Sequence, residues 1–249
     1  MTTTGPLAGR RALVTGGSRG IGAEIVRRLA SDGADVVFTY NSSPEAARQV
    51  AEQAGAGGTK VIAIQADSGD AESVAAAVDD AATRLGGLDI LVNNAGVLAF
   101  GPVQDIALAD FDRVLAVNVR GVFAAIQRVI PHLGQGGRII TIGSINSEWV
   151  PLAGLAVYST SKAAVAGLTR AVARELGPRG ITVNNIQPGP VNTEMNPDDG
   201  DFAAVMRPMS AVGHYGQPAD IASAVAYLAL PESGYITGVN WNIDGGITL

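Results

Sequence analysis

Short runs of apolar residues alternate with longer stretches of helical periodicity along the chain, and this alternation limits the fold more than any other feature. The short runs are rich in Val and Ile and lie at residues 12–15, 36–40, 61–65, 90–92, 138–142, 182–186 and 239–243. The helical stretches between them include residues 20–30, 44–54, 71–85, 111–129, 157–176 and 218–228. Apolar strands separated by helices predict βαβ units and a parallel sheet that is covered on both faces.

No linker, repeat or low-complexity segment interrupts this pattern. At 249 residues the chain has the length of one large α/β domain or of two small ones, and it can bury a sizeable core. We therefore predict a single α/β domain over residues 1–249, with a Rossmann-type, doubly wound parallel sheet of about seven strands.

The composition excludes several classes of function. A formal net charge of −6 without any basic run argues against a nucleic-acid partner. The absence of cysteine excludes disulfides, thiol nucleophiles and thiolate-bound metals, and it fits a reducing cytoplasm. Residues 1–6 lack the basic and apolar regions of a signal peptide, and polar or helix-breaking residues interrupt the apolar runs before membrane-spanning length. We expect a soluble, cytoplasmic protein with no membrane partner.

A glycine-rich turn directly follows the first predicted strand and opens the first predicted helix. Its sequence, T-G-G-S-R-G-I-G at residues 15–22, differs in spacing from the common G-x-G-x-x-G. Glycines in this position permit a tight turn and let a pyrophosphate approach backbone N–H groups at the start of a helix. The turn could be purely structural, but its place between strand and helix favours a dinucleotide site.

The end of the second predicted strand indicates which dinucleotide is bound. An NAD site usually has an Asp or Glu there, which binds the ribose 2′-hydroxyl. This chain has Tyr40 followed by Asn41 and Ser42, and Asp35 stands at the opposite end of the strand. Small polar residues leave room for a 2′-phosphate, and Arg19 can pair with it. We predict NADP(H), with a solvated turn residue as the alternative role of Arg19.

Tyr158 precedes Lys162 by four residues, and Lys162 is one of two lysines in the chain. On a helix these positions lie on one face, one turn apart. An ammonium group beside the phenol would lower its pKa from about 10 toward neutrality and make it a usable proton donor and acceptor. The alternative is an ordinary pair on the surface of a helix.

Several motifs in the same order resemble the short-chain dehydrogenase/reductase family over essentially the whole chain. They are the glycine turn, N-N-A-G at residues 93–96, Asn118, Ser144, the Tyr158/Lys162 pair and P-G at residues 188–189. Within the family the chain is most similar to the 3-oxoacyl-(acyl-carrier-protein) reductase type, of which I-D-G-G at residues 243–246 is typical.

The resemblance implies the cofactor contacts. Asp67 would meet the adenine amino group, residues 93–96 would line the adenosine side, and Thr193 would lie near the nicotinamide carboxamide. Asn93 and Thr193 also have alternative roles as capping residues. The implied cofactor residues are Gly16, Ser18, Arg19, Gly20, Ile21, Gly22, Tyr40, Asn41, Ser42, Asp67, Ser68, Asn94, Ala95, Gly96, Tyr158, Lys162, Pro188, Gly189, Val191 and Thr193.

The resemblance also implies a reaction, which is the reduction of a ketone or aldehyde, or the reverse oxidation of an alcohol. Tyr158 would donate the proton and Ser144 would hold the carbonyl oxygen. Lys162 would lower the phenol pKa and bind the nicotinamide ribose, and Asn118 would hold a water that links Lys162 to solvent. Charge that develops on the carbonyl oxygen requires such donors.

Two other kinds of catalysis find no support in the sequence. A serine hydrolase would need a histidine base placed beside its nucleophile, and the chain has only two histidines. The two histidines, His132 and His214, have no partner at metal-ligand spacing, so we predict no metal site. We expect His132 to be a capping or surface residue and His214 to be structural, with contact to the substrate as the alternative role of His214.

Residues 192–217 break the strand–helix rhythm and are predicted to form a substrate lid. The segment is polar and irregular, yet it carries every methionine except the initiator. Simple core filling by these methionines is the alternative. We expect the substrate wall to comprise Ser144 together with the apolar Trp149, Met195, Phe202 and Met206, which suits a small-molecule carbonyl compound with hydrophobic bulk.

The identity of the substrate and the partners is left open by the sequence. Arg120, Arg128, Arg170 and Arg174 could dock an acyl carrier protein or could simply be solvated, so a free ketone and a carrier-bound thioester both remain open. Residues 38–40, 188–190 and 214–218 resemble a subgroup associated with cyclic-di-GMP binding, which makes a regulatory protein on the same scaffold the alternative function. The family resemblance further implies a homotetramer.

Overall fold

A computed structural model describes residues 4–249, and it confirms the predicted parallel sheet. Residues 1–3 of the segment predicted to lack a signal peptide lie outside the described residues. The strands are β1 Arg11–Val14, β2 Asp35–Tyr40, β3 Val61–Gln65, β4 Ile90–Asn93, β5 Arg138–Ile142, β6 Thr182–Pro188 and β7 Asn240–Ile243. They form one seven-stranded sheet in the order β3-β2-β1-β4-β5-β6-β7, with every pair parallel.

Helices cover both faces of the sheet, as the doubly wound prediction requires. They are α1 Gly20–Ser31, α2 Pro44–Gly55, α3 Ala71–Leu85, α4 Leu108–Leu115, α5 Val122–Val129, α6 Ala156–Leu176, α7 Gly200–Met206 and α8 Pro218–Ala229. The predicted helix 111–129 is divided, because a π-helical turn, Ala116–Gly121, separates α4 from α5.

The core consists of two layers that the alternation of side chains along each strand keeps apart. In β1, Ala12 and Val14 belong to the cluster under α1, α2 and α8, whereas Leu13 belongs to the cluster under α3, α5 and α6. All three side chains are fully buried. A strand that is buried on both faces must be apolar throughout, which explains why the strands read as continuous Val and Ile runs.

The strand order reverses between β1 and β4, and this reversal positions the site. The chain proceeds outward from β1 to β3 and then returns to pair β4 with the other side of β1. The loops that leave the carboxyl ends of β1 and β4 therefore diverge and leave a crevice, which is where ligands bind in open α/β sheets.

Residues 192–217 are less irregular than predicted. They contain the short helix α7 and the 3-10 turn Arg207–Met209. The rest is held by local bonds, such as the paired backbone bonds between Thr193 and Asn196.

One helical run, Leu108–His132, is long and apolar enough to cross a membrane by length and composition alone. Polar side chains still interrupt the run, as the sequence predicted, and they include Arg113, Asn118, Arg120 and Gln127. In the structure, 44% of its most apolar window is buried inside the protein, and Val122, Ala125, Ile126 and Val129 pack in the core layer under α3 and α6. The apolar face of this run is thus largely used in the fold.

Candidate active site

A cavity of about 640 Å³ lies at the carboxyl ends of the strands. Of the residues that the sequence assigned to the cofactor, all but Asn93 line it, from the glycine turn after β1 to Thr193 after β6. Ser144, Met195, Phe202 and Met206 line it as well. Of the other predicted site residues, Asn118 and Trp149 lie outside the lining.

The glycine turn leaves no room for side chains. Gly16 has a φ of +68°, and a Cβ on it would lie 2.9 Å from the Cα of Ala95. A Cβ on Gly22 would lie 2.2 Å from the carbonyl oxygen of Gly16. The turn ends at the start of α1, where Arg19 holds the N-cap position without a side-chain cap bond. Backbone N–H groups at such a helix start attract anions.

The loop after β4 is tied to the glycine turn. Asn94 donates from Nδ2 to the carbonyl oxygens of Thr15 and Gly16, both at 3.0 Å. Thr15 Oγ1 in turn accepts from the backbone N–H groups of Asn94 and Ala95. Asn93 points elsewhere: it is buried between β4 and β5, with Nδ2 3.5 Å from Thr141 Oγ1, and it does not line the cavity. The implied adenosine contact therefore applies to residues 94–96 and not to Asn93.

Polar side chains without a carboxylate follow the end of β2. Tyr40, Asn41 and Ser42 line the cavity, whereas Asp35 at the other end of the strand accepts a bond from the backbone N–H of Lys60 at 2.8 Å. Arg19 pairs with Glu194 at 3.3 Å, and both side chains are about two-thirds exposed. An ion pair this exposed contributes about 0–1 kcal/mol, so Arg19 is free to take another anionic partner.

Ser144, Tyr158 and Lys162 meet at the middle of the cavity. Ser144 follows Gly143 at the end of β5, and the other two residues lie one turn apart on α6. Lys162 is buried and donates from Nζ to the carbonyl oxygen of Ile142 at 2.9 Å. Its Nζ lies 5.4 Å from the centre of the Tyr158 ring.

Burial shifts the pKa values of this pair in opposite directions. Desolvation raises the pKa of Tyr158 to about 12, and the neighbouring Ser144 hydroxyl acts against this shift. Desolvation lowers the pKa of Lys162 to about 8. The predicted lowering of the phenol pKa by Lys162 is therefore not found in this structure. The ammonium donates to a backbone carbonyl oxygen, and burial is the larger influence on the phenol.

Asn118 lies behind the cavity wall, in the π-helical turn. Its Oδ1 accepts from the backbone N–H of Val97 at 2.9 Å, and its Nδ2 donates to the Val97 carbonyl oxygen and to Ser161 Oγ. A Cβ on Gly96 would lie 3.6 Å from Asn118 Oδ1 and 3.7 Å from Lys162 Nζ. The side chain thus joins the loop after β4 to α6, directly beside Lys162.

Trp149 does not form a wall of the cavity. It packs instead with Leu152 against a buried cluster beneath α7 that consists of Ile145, Ala203, Met206, Tyr215 and Ile247. The apolar wall also contains four residues that the sequence did not single out, Leu98, Phe100, Pro151 and Leu155. Their positions just after β4 and just before α6 could have indicated them, because loops at the carboxyl edge of a sheet form its sites.

The predicted docking arginines and the histidines have structural partners or lie on the surface. Arg120 donates to the Gly69 carbonyl oxygen at 2.9 Å, and Arg128 pairs with Asp79, which His132 also approaches. His214 bonds the backbone oxygen of Tyr215 and does not line the cavity. Arg170 and Arg174 are exposed on α6.

A glycine-cradled crevice beside a serine, a tyrosine and a lysine defines a dinucleotide-dependent oxidoreductase site. The family model described as enoyl-(acyl carrier protein) reductase matches residues 16–248. The chain belongs to the short-chain dehydrogenase/reductase family.

Similar proteins include solved structures and a regulatory protein. A short-chain dehydrogenase/reductase of Serratia marcescens is 56% identical, with a TM-score of 0.96 over 98% of this chain and 100% of that one. A short chain dehydrogenase of Burkholderia cenocepacia, solved in complex with NADP, is 51% identical, with a TM-score of 0.97 over the same shares. The cyclic-di-GMP-binding biofilm dispersal mediator protein of Escherichia coli is 42% identical over 97% of this chain and 98% of that protein.

Proposed function

We propose that this protein is a cytoplasmic, NADPH-dependent carbonyl reductase that also catalyses the reverse oxidation of an alcohol. One observation supports the proposal above all others: Ser144, Tyr158 and Lys162 line the same cavity as the glycine turn. A proton donor and a carbonyl-holding hydroxyl therefore lie within the crevice that fits a dinucleotide.

The residues present fit NADP(H). Gly16 and Gly22 leave a cradle that a single Cβ would fill, and the start of α1 offers N–H groups to a pyrophosphate. Asn41 and Ser42 leave space at the ribose, where a carboxylate would repel a 2′-phosphate. Arg19, which is held only by an exposed ion pair, would bind that phosphate. The relative from Burkholderia cenocepacia was solved with NADP, which supports the same choice here.

The chain's own residues hold the substrate and move a proton. When bound, the nicotinamide supplies the hydride. Ser144 donates a hydrogen bond to the carbonyl oxygen, and Tyr158, whose raised pKa keeps it protonated at neutral pH, gives that oxygen a proton. Lys162 remains largely protonated below its pKa of about 8, and its charge stabilises the tyrosinate that forms. Asn118 holds the loop and α6 in register beside Lys162.

The apolar end of the cavity favours a free carbonyl compound with hydrophobic bulk. Leu98, Phe100, Leu155, Met195 and Phe202 line this end, and the 192–217 segment would act as its lid. Arg120 and Arg128, two of the residues considered for docking a carrier protein, already have partners. A carrier-bound thioester is therefore the less supported substrate.

A panel of ketones and aldehydes of increasing bulk tests the proposal. NADPH oxidation is followed at constant enzyme concentration, with NADH as the comparison cofactor and Tyr158→Phe as the matched inactive control. We expect turnover of bulky aromatic or alicyclic ketones and a preference for NADPH. No turnover across the panel, or equal efficiency with NADH, would contradict the assignment.

Cyclic-di-GMP binding is a second candidate, because a relative at 42% identity carries that function in its name. The intact Ser144, Tyr158 and Lys162 set favours catalysis, since a sensor does not require them. Titration of the protein with cyclic-di-GMP, with and without saturating NADPH, separates the two. Tight binding without any turnover would support the regulatory function.

We also propose a homotetramer on the basis of the family. Exposed apolar side chains on the helices after β4 support it: Leu108 on α4 is 79% exposed and Phe123 on α5 is 50% exposed. Light scattering coupled to gel filtration measures the mass directly, and Phe123→Glu should reduce it. A monomeric wild-type protein would refute the tetramer.

A further inference from the structure

Asn146 contacts the hydroxyl of Ser144 in two ways. Ser144 stands at the N-cap of the 3-10 turn Ile145–Ser147, where its Oγ accepts from the backbone N–H of Asn146 at 3.1 Å. The same Oγ donates to Oδ1 of the Asn146 side chain at 3.1 Å. Asn146 lines the cavity and is partly buried, yet it belongs to none of the sequence motifs.

The surroundings determine which way the Asn146 amide faces. Its Nδ2 donates to the backbone carbonyl oxygen of Trp149 at 3.1 Å. A carbonyl oxygen only accepts, so the amide nitrogen must face Trp149 and Oδ1 must face Ser144. Trp149 is itself fixed, because its N–H donates to Ile145 and its ring packs against the cluster beneath α7. The acceptor offered to Ser144 is therefore held in place by the fold.

The hydrogen-bonding capacity of Ser144 makes this contact important. A serine hydroxyl has one proton and two acceptor positions. In the structure the proton faces Asn146 Oδ1 and one acceptor position takes the Asn146 N–H, which leaves the second acceptor position of the hydroxyl unoccupied by these contacts. A carbonyl oxygen that enters between Ser144 and Tyr158 needs the same proton. Substrate and Asn146 therefore compete for it, and exchanging one hydrogen bond for another costs little.

We propose that Asn146 is a positioning residue for the reaction: it keeps Ser144 Oγ turned toward Tyr158 and yields the serine proton to the substrate oxygen. The inference rests on the proposed carbonyl reduction and extends it to a residue beside the catalytic set. Without Asn146 Oδ1, the Ser144 hydroxyl would rotate among its staggered positions. A bound substrate would then find the hydroxyl directed at its carbonyl oxygen less often.

A double-mutant cycle tests this role. Asn146→Leu removes the acceptor, and with it the amide donor to Trp149, while keeping the branched shape of the side chain, and Asn146→Ala removes the branch as well. Each is made in the wild type and in Ser144→Ala. We expect kcat for ketone reduction to fall about tenfold in the wild-type background and less than about twofold in Ser144→Ala, because the effect acts through the serine. KM, the NADPH Kd and the melting temperature should stay close to those of each parent.

Three results from the kinetic and binding measurements would overturn the proposal: equal losses in both backgrounds, full activity of Asn146→Leu, or loss of NADPH binding in proportion to kcat. Crystal structures of the wild type and Asn146→Leu give a readout that needs no turnover. We expect Ser144 to occupy more than one rotamer in the variant, and a single unchanged rotamer would refute the positioning role. A wild type that reduces no ketone would count against the proposed function, while the rotamer comparison would still decide the role of Asn146.

Discussion

The two ends of the cavity are built in different ways. The end where we propose that the cofactor binds is shaped by backbone: a Cβ on Gly16, Gly22 or Gly189 would come within 2.9 Å of a neighbouring atom. The substrate end is shaped by long side chains that remain partly open to solvent, with Phe100 62% exposed, Met195 55% and Phe202 45%. At the first end the available space dictates the residue type, whereas at the second many side chains would fit.

This difference means that the two ends can change independently. A substitution in the glycine turn acts on the backbone and therefore on any cofactor, whichever substrate is bound. A substitution among the apolar side chains changes the shape offered to the substrate and leaves the turn as it is. Ser144, Tyr158 and Lys162 stand between the two ends. We expect substitutions there to change the rate of the reaction more than the binding of cofactor or substrate.

The largest expected effect comes from removing the proton donor between the two ends. Tyr158→Phe should lower kcat for ketone reduction by about 10²–10⁴-fold, the usual contribution of a general acid. The NADPH Kd, measured by fluorescence titration, should change by less than about twofold, because the hydroxyl contributes little to holding the cofactor. A variant that retains most of its turnover would exclude Tyr158 as the donor.

Gly22→Ala should damage the cofactor end selectively. The new Cβ would lie 2.2 Å from the Gly16 carbonyl oxygen and 2.4 Å from Asn94 Nδ2, so the turn must shift. We expect the NADPH Kd to rise about 100-fold, since such overpacking costs about 1–3 kcal/mol. Gly57→Ala is the matched control, because a Cβ there meets nothing within 4 Å. Unchanged NADPH binding in Gly22→Ala would show that the turn does not hold the cofactor.

The pH dependence should follow Lys162. Its pKa is lowered to about 8, so the ammonium is present below that pH and is lost above it. Tyr158, with a pKa of about 12, stays protonated throughout this range. Reduction should therefore be nearly constant from pH 6 to 7.5 and fall above pH 8, approaching about tenfold per pH unit. Measuring the NADPH Kd at each pH separates binding from chemistry, and a rate that rises through pH 8 would contradict the assignment.

The smallest effects should appear at the substrate end. Phe202→Ala should change the ratio of kcat/KM for bulky and small ketones by about tenfold, the usual scale for apolar pocket contacts.

Trp149→Ala should leave that ratio unchanged but lower the free energy of unfolding by about 2–4 kcal/mol, because its ring packs beneath α7 and not in the cavity. A change in substrate selectivity of the Trp149 variant, measured on the same ketone panel, would show that Trp149 contacts the substrate.

The same contrast explains what the sequence could predict. Strands that are buried on both faces must be apolar, so the strand positions were predicted to within two residues. Close contacts allow only glycine at positions such as Gly16 and Gly22, so the sequence also predicted the glycine turn. The π-helical turn was missed because it accompanies bonds from Asn118 to Val97 and Ser161, which are distant in sequence. The position of Trp149 depends on how α7 packs against the loop after β5, which is a contact between distant parts of the sequence. The pKa of Tyr158 depends on how deeply the ring is buried, which the spacing of Tyr158 and Lys162 does not reveal.

The fixed places of Ser144 and Tyr158 have a stereochemical consequence. Ser144 stands at the end of a strand and Tyr158 on a long helix, so neither can follow the substrate around the cavity. A carbonyl held by both presents one of its two faces to the floor formed by Pro188 and Gly189. Which face that is depends on where the larger substituent fits among Phe100, Met195 and Phe202. The handedness of the alcohol is therefore decided by side chains that take no part in proton transfer.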